Sequence, residues 1–325
     1  MSRIILFLIF GFLVVVVGCV AFQRKLLYYP THHHENYGLS EWIYQGQRIG
    51  YAREVPSPEN VWLTLHGNGG QASDRVYALP SFSNHDSVFF LEYPGFGLRP
   101  GLPSMASINS AANQAYQALR SRFPHTPVCV VGESVGSGPA SVVATNPQPP
   151  DKIVLIVPFD ILSRVAAHHF PFIPIRLFLR DTWNNIESLK GYTGPLEIFG
   201  ARDDTIIPII HARTLAASKP SSIFHEVAGY RVIQAGDGQD AVAMFHEYRE
   251  TIDLLVFDVI MPRKDGKSAY EEIRKIRPDM KVLFMSGYTK DIVITKGVLE
   301  EEVFFIAKPF TPYKLLMLTR DILDC

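Results

Sequence analysis

The stretch PVCVVGESVG, residues 127–136, decides the fold of the larger part of this sequence. It begins as an uninterrupted apolar run, which is typical of a strand that is buried on both faces. The run ends in a G-x-S-x-G pattern, and small residues follow Ser134 as in a helix packed close to a sheet. A serine at such a strand-to-helix junction lies on a strained turn, where flanking glycines leave room for the crowded backbone. Ser134 is therefore a candidate nucleophile.

Similar apolar runs on either side of this stretch indicate an α/β fold. Between two of them, Ile108, Ala112 and Leu119 recur at helical spacing. Continuous apolar strands that alternate with helices predict a parallel sheet covered on both faces. The predicted strands in this part of the chain are residues 60–65, 87–93, 127–131, 153–157, 196–199 and 222–227.

Two loops extend the candidate site around Ser134. HGNGG at residues 66–70 follows an early strand, where the backbone N–H groups of Asn68 and Val135 would form an oxyanion hole. Asp204 follows a later strand, where the acid of a serine triad belongs; the alternative is that it caps the helix after this loop. The motifs of these loops and their neighbours are LYYP at 27–30, HGNGG at 66–70, YPGFG at 93–97 and DDTIIP at 203–208.

With these motifs, residues 1–229 resemble membrane-anchored α/β-hydrolases of the serine aminopeptidase-like, depalmitoylase-like branch. In that fold the serine precedes the acid along the chain, as it does here. The resemblance implies hydrolysis of an ester, thioester or amide through an acyl-enzyme, without a cofactor. It implies Ser134 as the nucleophile, Asp204 as the acid, and Asn68 and Val135 as the oxyanion-hole residues.

The histidine of the triad has no evident counterpart. A serine nucleophile needs a general base, usually a histidine, and the family places it just after the last strand. Here the last strand, residues 222–227, is followed by Ala228, Gly229 and Tyr230. Loss of the base costs several orders of magnitude in rate, so we expect weak or no activity. The late histidines that fit this position poorly are His211, His225 and His246, and we expect His66 to be a structural residue of its loop.

The amino terminus predicts a membrane anchor. Residues 4–22 contain no charge and lie between Arg3 and Arg24. About 20 apolar residues span a bilayer, so we expect residues 1–25 to anchor the chain in a bacterial cell membrane. The alternatives are a secretory signal peptide and a lipoprotein signal that leaves a lipidated Cys19.

A second apolar segment, FPFIP at residues 170–174, has no assigned role. It follows His168 and His169 and lies between two predicted strands. Its composition fits a lid over the site, a surface that faces a membrane, or ordinary packing.

The charge density changes near residue 230. Residues 230–325 contain 14 basic and 16 acidic side chains in 96 positions. Residues 1–229 contain 17 and 16 in more than twice that length, so charged residues are about twice as dense in the second part. Such a step predicts two unrelated domains, residues 26–229 and 230–325. The net charge of the 325 residues is −1, which argues against a protein built to coat nucleic acid.

Three apolar runs of the second domain each lead into a polar side chain. The run 254–257 leads into Asp258, the run 282–285 leads into Ser286, and the run 303–307 leads into Lys308. Ligands of an open α/β sheet bind at the carboxyl ends of its strands, so we expect these three side chains at one edge. A shorter run at residues 230–235 predicts one further strand before the turn at 236–238.

The second domain resembles response-regulator receivers, above all those attached to hybrid histidine kinases. The resemblance implies Asp258 as the phosphoacceptor and as a ligand of Mg²⁺, Ser286 and Lys308 as phosphoryl contacts, and Phe305 as the switch residue. It further implies Mg²⁺ as the cofactor and a sensor histidine kinase as the partner. The motifs of this resemblance are DVIMP at 258–262, DG at 265–266, MSGY at 285–288 and KPF at 308–310.

One piece of the receiver pattern is absent. A complete receiver begins with a strand that ends in two acidic residues, which help to hold Mg²⁺, and this sequence enters at the second strand. The absent strand normally lies between the second and third in the order 2-1-3-4-5. Asp237 and Asp253 are poor substitutes because they lie elsewhere relative to the strands. We therefore expect poor Mg²⁺ binding and poor phosphorylation of Asp258.

The missing histidine of the first domain and the missing strand of the second domain both fall between Gly229 and Tyr230. No flexible linker separates the two domains. The simplest interpretation is an in-frame recombination of two truncated genes or an artefact of sequence assembly. The junction would be either one strand across residues 223–235 or a turn at Ala228 and Gly229. Three functions stay open: a membrane-bound serine hydrolase, a phosphorelay module, and a non-catalytic recombination product.

Overall fold

The computed structural model describes Gly18 and residues 23–25, 27–171, 175, 178–228, 232–288, 303–310 and 312–324. The chain divides into two compact units, Met1–Tyr230 and Arg231–Cys325. Strands alternate with helices in both, so the expected α/β class is confirmed. The expected membrane span, residues 4–22, lies outside the described residues except for Gly18. In the part of the chain that is described, no helix is both long enough and apolar enough to cross a bilayer.

The described residues of the first unit build one mixed sheet. Its strands are β1 (Ser40–Tyr44), β2 (Gln47–Arg53), β3 (Val61–Leu65), β4 (Ser87–Leu91), β5 (Val128–Glu133), β6 (Ile153–Ile156), β7 (Leu196–Ala201) and β8 (Ile223–Val227). Their order is β1-β2-β4-β3-β5-β6-β7-β8. The pairs from β4 to β8 are parallel, as predicted. The antiparallel β1–β2 hairpin differs from the prediction, because the two-residue turn at Gln45 and Gly46, both with positive φ, joins adjacent strands directly.

Helices cover this sheet and complete its core. They are α1 (Met105–Arg122), α2 (Ser137–Val143), α3 (Leu162–His169), α4 (Asn185–Leu189) and α5 (Ile209–Ala217), with 3-10 turns at Ala72–Ser81 and Ser134–Gly136. The Ser104 hydroxyl begins α1, because it accepts a hydrogen bond from the Ser107 N–H. Side chains of β4 alternate between two buried clusters, with Phe89 in one and Phe90 in the other. Apolar packing on both faces therefore fixes the strand ends that carry the candidate site.

The second unit is a smaller parallel sheet with helices. Its elements are α6 (Gly238–Tyr248), β9 (Leu254–Asp258), α7 (Gly266–Ile276), β10 (Lys281–Ser286), β11 (Phe304–Ala307) and α8 (Pro312–Asp324). The order of the strands is β11-β10-β9. Asp237 begins α6, because its carboxylate accepts hydrogen bonds from the N–H groups of Gln239 and Asp240 at 2.8 and 3.0 Å.

The prediction of a strand at residues 230–235 is wrong for residues 232–235, which are the part of it that the structure describes. Residues 232–235 form no strand, and β8 ends at Val227, so a single strand across residues 223–235 is excluded. Within the described residues of the second unit, β9 has no neighbour on its other side. A strand needs a partner for its backbone N–H and C=O groups. The sequence analysis expects the first strand of a receiver to be missing at this side of β9.

Candidate functional site

Ser134 lies on the turn that the sequence predicts. It follows the last residue of β5, and its φ of 52° places it in the left-handed region. A Cβ on Gly132 would lie 2.6 Å from the Cβ of Ala140, and one on Gly136 would lie 2.0 Å from the carbonyl oxygen of Leu65. The strained turn and its two obligatory glycines have the form of a nucleophile elbow.

The loop at residues 66–70 lies beside Ser134. It leaves the end of β3, which pairs with β5, and a Cβ on Gly67 would lie 3.3 Å from the Cβ of Ser134. Val135 is in the first turn after the serine, where backbone N–H groups lack partners within the helix. Asn68 and Val135 are thus at the same sheet edge as the serine.

Asp204 is held by its own loop after β7. Its Oδ1 accepts hydrogen bonds from the N–H groups of Ile206 and Ile207 at 2.7 and 2.8 Å. Pro208 precedes α5 without a side-chain cap, so the carboxylate closes the turn before the helix and does not cap it. Among the described residues, no hydrogen bond joins Asp204 to Ser134.

No histidine among the described residues is hydrogen-bonded to the serine or the acid of the candidate triad. The buried His66 ring has its Nδ1 2.8 Å from the carbonyl oxygen of the next residue. His225 Nε2 lies 3.2 Å from an oxygen of Glu197. His169 reaches the loop after β7, where its Nε2 lies 2.7 Å from the carbonyl oxygen of Ile206. Each of these rings is therefore engaged elsewhere.

His211 of α5 binds an acid that the sequence analysis did not single out. Its Nδ1 lies 2.7 Å from Oδ1 of Asp160, and both side chains are buried. Arg164 of α3 donates to the other carboxylate oxygen at 2.6 Å. Burial opposes ionisation of Asp160, but the hydrogen bonds from Arg164 and His211 outweigh it and lower the pKa of the carboxyl. The position of Asp160 shortly after the apolar run of β6 could have singled out this acid, though not its pairing with His211.

In the second unit, Asp258, Ser286 and Lys308 lie together at the carboxyl edge of the sheet, as predicted. Asp258 pairs with Met285 across β9 and β10, and the Lys308 N–H donates to the carbonyl oxygen of Ser286 at 2.7 Å. The Nζ of Lys308 lies 2.5 Å from Oδ2 of Asp258. Phe305 of β11 is partly buried against the core formed with α6 and α7.

The side chains at this edge do not form a complete Mg²⁺ site. Mg²⁺ prefers a near-octahedral set of oxygen ligands. Asp258 is paired with Lys308, and Asp237 is occupied by the α6 backbone and by the guanidinium of Arg263. The described residues contain no group of three or more His, Cys, Asp or Glu side chains that could hold a metal.

Comparison with known proteins identifies the family of the second unit. Residues 209–320 match the profile of the response regulator receiver domain. The match begins at α5, whereas the structure places α5 and β8 in the first unit, where β8 pairs with β7. The sensor kinase CckA of Brucella abortus is 33% identical over 96 residues, which are 30% of this chain and 10% of that protein.

Comparisons also identify the fold of the first unit. An esterase of Pyrococcus furiosus superimposes with a TM-score of 0.50 at 14% identity, over 69% of this chain and 95% of that one. The lysophosphatidylserine lipase ABHD12 of Xenopus tropicalis is 30% identical over 225 residues, 58% of this chain and 57% of that protein. An uncharacterized protein of Mycobacterium tuberculosis is 31% identical over 159 residues, 48% of this chain and 56% of that protein. The chain thus spans about half the length of these two curated relatives. It joins an α/β-hydrolase fold to a response regulator receiver domain.

Proposed function

We propose that the first unit is a serine hydrolase of acyl esters, thioesters or amides with weak turnover. The observation that carries the proposal is the state of Ser134, which has elbow geometry but no hydrogen-bonded base among the described residues. The adjacent loop supports an oxyanion hole from the N–H groups of Asn68 and Val135. Oxyanion stabilisation and substrate binding alone leave only residual catalysis when no base is in place to remove the serine proton.

Acyl transfer needs the same base twice. The base first accepts the Ser134 proton and passes it to the leaving alcohol, thiol or amine as the acyl-enzyme forms, and it later takes a proton from the water that releases the acyl group. Asp204 would normally orient that base, and here it is held by two backbone N–H groups. We therefore expect both steps to be slow, with a serine that binds acyl compounds better than it turns them over.

For the second unit we propose a phosphorelay receiver with Asp258 as the phosphoacceptor and a sensor histidine kinase as the donor. The 2.5 Å contact between Lys308 Nζ and Asp258 supports this assignment, because a lysine there offsets charge on a transferred phosphoryl group. Ser286 would contact the same group, and Phe305 would report its presence. The incomplete set of Mg²⁺ ligands favours slow phosphorylation.

For location we propose that residues 1–25 anchor the protein in a bacterial cell membrane. The support is the absence of charge from residues 4–22 between flanking arginines. Lipidation at Cys19 is the alternative. Phosphorelay takes place in the cytoplasm, so an active receiver requires both units on that side.

The test of the proposed hydrolase uses the full chain, p-nitrophenyl butyrate and a fluorophosphonate probe. We expect slow labelling that Ser134→Ala abolishes, and turnover only slightly above that of the variant. Rapid turnover that Ser134→Ala abolishes would contradict the weak activity. Labelling that persists in the variant would contradict the serine assignment, and no labelling at all would favour the non-catalytic product.

A further inference from the structure

The side chain of Arg75 joins the candidate oxyanion loop, residues 66–70, to the strand that carries the nucleophile. Its Nε lies 2.8 Å from Oε2 of Glu133, the last residue of β5. Its Nη2 donates to the carbonyl oxygen of Gly69 at 3.1 Å and lies 3.5 Å from the carbonyl oxygen of Gly67. Arg75 therefore connects the two elements from which the candidate oxyanion hole is built.

The environment of Arg75 suits this connection. The residue lies in the 3-10 turn Ala72–Ser81, which follows the loop, and its side chain is only 13% exposed. Burial opposes the positive charge, but the Glu133 carboxylate outweighs it and raises the pKa of the guanidinium. Because a guanidinium presents several donors in a rigid fork, it can hold a carboxylate and backbone carbonyl groups at the same time.

The carbonyl group of Gly67 sets the direction of the Asn68 N–H. The peptide bond between these residues is trans and planar, so its C=O and N–H groups point in opposite directions. The oxygen of Gly67 is held by His66, whose Nδ1 lies at 2.8 Å, and more loosely by Arg75. A carbonyl group that is fixed on one side thus aims the candidate oxyanion donor on the other side.

A second anchor holds the side chain of Asn68. Its amide donates to the carbonyl oxygen of Leu27, and its Oδ1 accepts from the N–H of Tyr29 at 3.0 Å. This anchor fastens the loop to the N-terminal segment, whereas Arg75 fastens it to the strand that precedes Ser134. The position of the loop relative to the nucleophile therefore depends more directly on Arg75 than on this anchor.

Glu133 places a negative charge beside the candidate nucleophile. A Cβ on Gly67 would lie 3.0 Å from Oε1 of Glu133 and 3.3 Å from the Cβ of Ser134, so the carboxylate and the serine flank the same glycine. An uncompensated carboxylate at this place would oppose the negative charge that develops on an oxyanion. The guanidinium of Arg75 offsets that carboxylate.

We propose that Arg75 is a positioning residue of the hydrolase site, which holds the oxyanion loop against the nucleophile turn and cancels the charge of Glu133. The inference rests on the proposed hydrolase function and deepens it. Arg75 acts through the loop and Glu133 rather than on the substrate, because its Nε and Nη2 donors are bound to protein oxygens.

Amide hydrogen exchange of the full chain tests whether Arg75 holds the loop, and it needs no activity. The variants are Arg75→Gln and Arg75→Lys, the second of which keeps the charge but loses the fork. The matched control is Arg122→Gln, which breaks the exposed pair with Glu54. We expect the amides of residues 67–71 to exchange about tenfold faster in both Arg75 variants but not in the control, since local opening becomes easier. Unchanged exchange in a folded Arg75 variant would overturn the proposal.

The rate at which a fluorophosphonate probe labels Ser134 tests the role of the charge. We expect Arg75→Gln to slow labelling by about tenfold, and Arg75→Lys to slow it less because lysine still offsets the carboxylate. Adding Glu133→Gln to Arg75→Gln should recover part of the rate, which a merely structural role would not produce. A double variant as slow as Arg75→Gln would overturn the cancellation of charge.

The two measurements separate this proposal from the proposed hydrolase function. Equal labelling rates in the wild type and Arg75→Gln would overturn the positioning role and leave the hydrolase intact. A wild type that the probe does not label would overturn the hydrolase. The exchange rates of residues 67–71 would then still decide whether Arg75 holds the loop.

Discussion

His211 Nδ1 lies 2.7 Å from Asp160 Oδ1, so the first histidine after Asp204 in the chain is bound to a different acid. The contact joins α5 to the loop after β6, and Arg164 extends it to α3. Both partners are buried. A histidine held in this way supports the helices that border the candidate site, and its Nδ1 is bound to Asp160 and not to Asp204.

Replacement of the buried acid should test this interpretation. Asp160→Asn removes the charge that pairs with Arg164 and His211, and breaking a buried pair leaves its partners uncompensated. We expect the free energy of unfolding of the first unit to fall by about 3 kcal/mol, measured by urea unfolding. Glu54→Gln, which breaks the exposed pair with Arg122, is the control and should change stability little. An equal loss of stability in Asp160→Asn and Glu54→Gln would contradict a supporting role for the Asp160–His211 pair.

The carboxyl group of Asp160 should make the stability of the first unit depend on pH. The pKa of Asp160 is lowered from 3.8 in the folded state. The stabilisation that Asp160 provides is therefore complete at a pH above its pKa in the unfolded chain. It is lost as the pH falls through the lower pKa of the folded state. The stability difference between the wild type and Asp160→Asn should be constant near neutral pH and shrink below pH 4, as measured by urea unfolding across that range. A difference that grew in acid would contradict the sign of the shift.

A histidine placed after the last strand should restore part of the hydrolase activity. The sequence has Tyr230 where the family has its base, so Tyr230→His is the direct replacement. We expect the rate with p-nitrophenyl butyrate to rise by about 10²-fold, the lower end of what a positioned base contributes. Tyr230→Phe should not raise it, and Ser134→Ala should abolish the gain. An unchanged rate in a folded Tyr230→His protein would show that the base is not what limits turnover.

The glycine after the candidate nucleophile should tolerate no side chain. A Cβ on Gly136 would lie 2.0 Å from the carbonyl oxygen of Leu65, which is backbone and has no room to move, whereas a Cβ on Gly191 meets nothing within 4 Å. We expect Gly136→Ala to lower the free energy of unfolding by about 3 kcal/mol or to prevent folding. Gly191→Ala should fold with near wild-type stability in the same thermal unfolding assay. A stable Gly136→Ala protein would contradict the close approach of β3 and the elbow.

The carboxyl edge of the sheet in the second unit should respond weakly to Mg²⁺ and beryllofluoride. Asp258 is paired with Lys308, and Asp237 is committed to the α6 backbone and Arg263, so few oxygen ligands are left for the ion. In NMR spectra of the full chain we expect no shift of the resonances near Asp258 at millimolar Mg²⁺ with beryllofluoride. Asp258→Asn provides the baseline. Clear shifts in the wild type alone would show a working phosphorylation site.

The parts of both sites that follow from local sequence were predictable. The turn at Ser134 depends on a strand, two glycines and a helix that are adjacent in the chain. Asp258, Ser286 and Lys308 meet because carboxyl ends of parallel strands share an edge. The bond between Asp160 and His211 was not predictable, because 51 residues separate them and only the packing of α5 brings them together.

The sequence by itself determined the α/β class, the two-part organisation, the strand ends that carry the candidate residues, and the lack of a histidine after the last strand. These follow from apolar periodicity, glycine positions and motif order, which act over short distances along the chain. The tertiary structure alone decided which partner each histidine takes and that Asp237 caps a helix. It also decided that Asn68 is bound to residues 27–29. Those outcomes depend on side chains far apart in sequence that become neighbours only when the sheets pack.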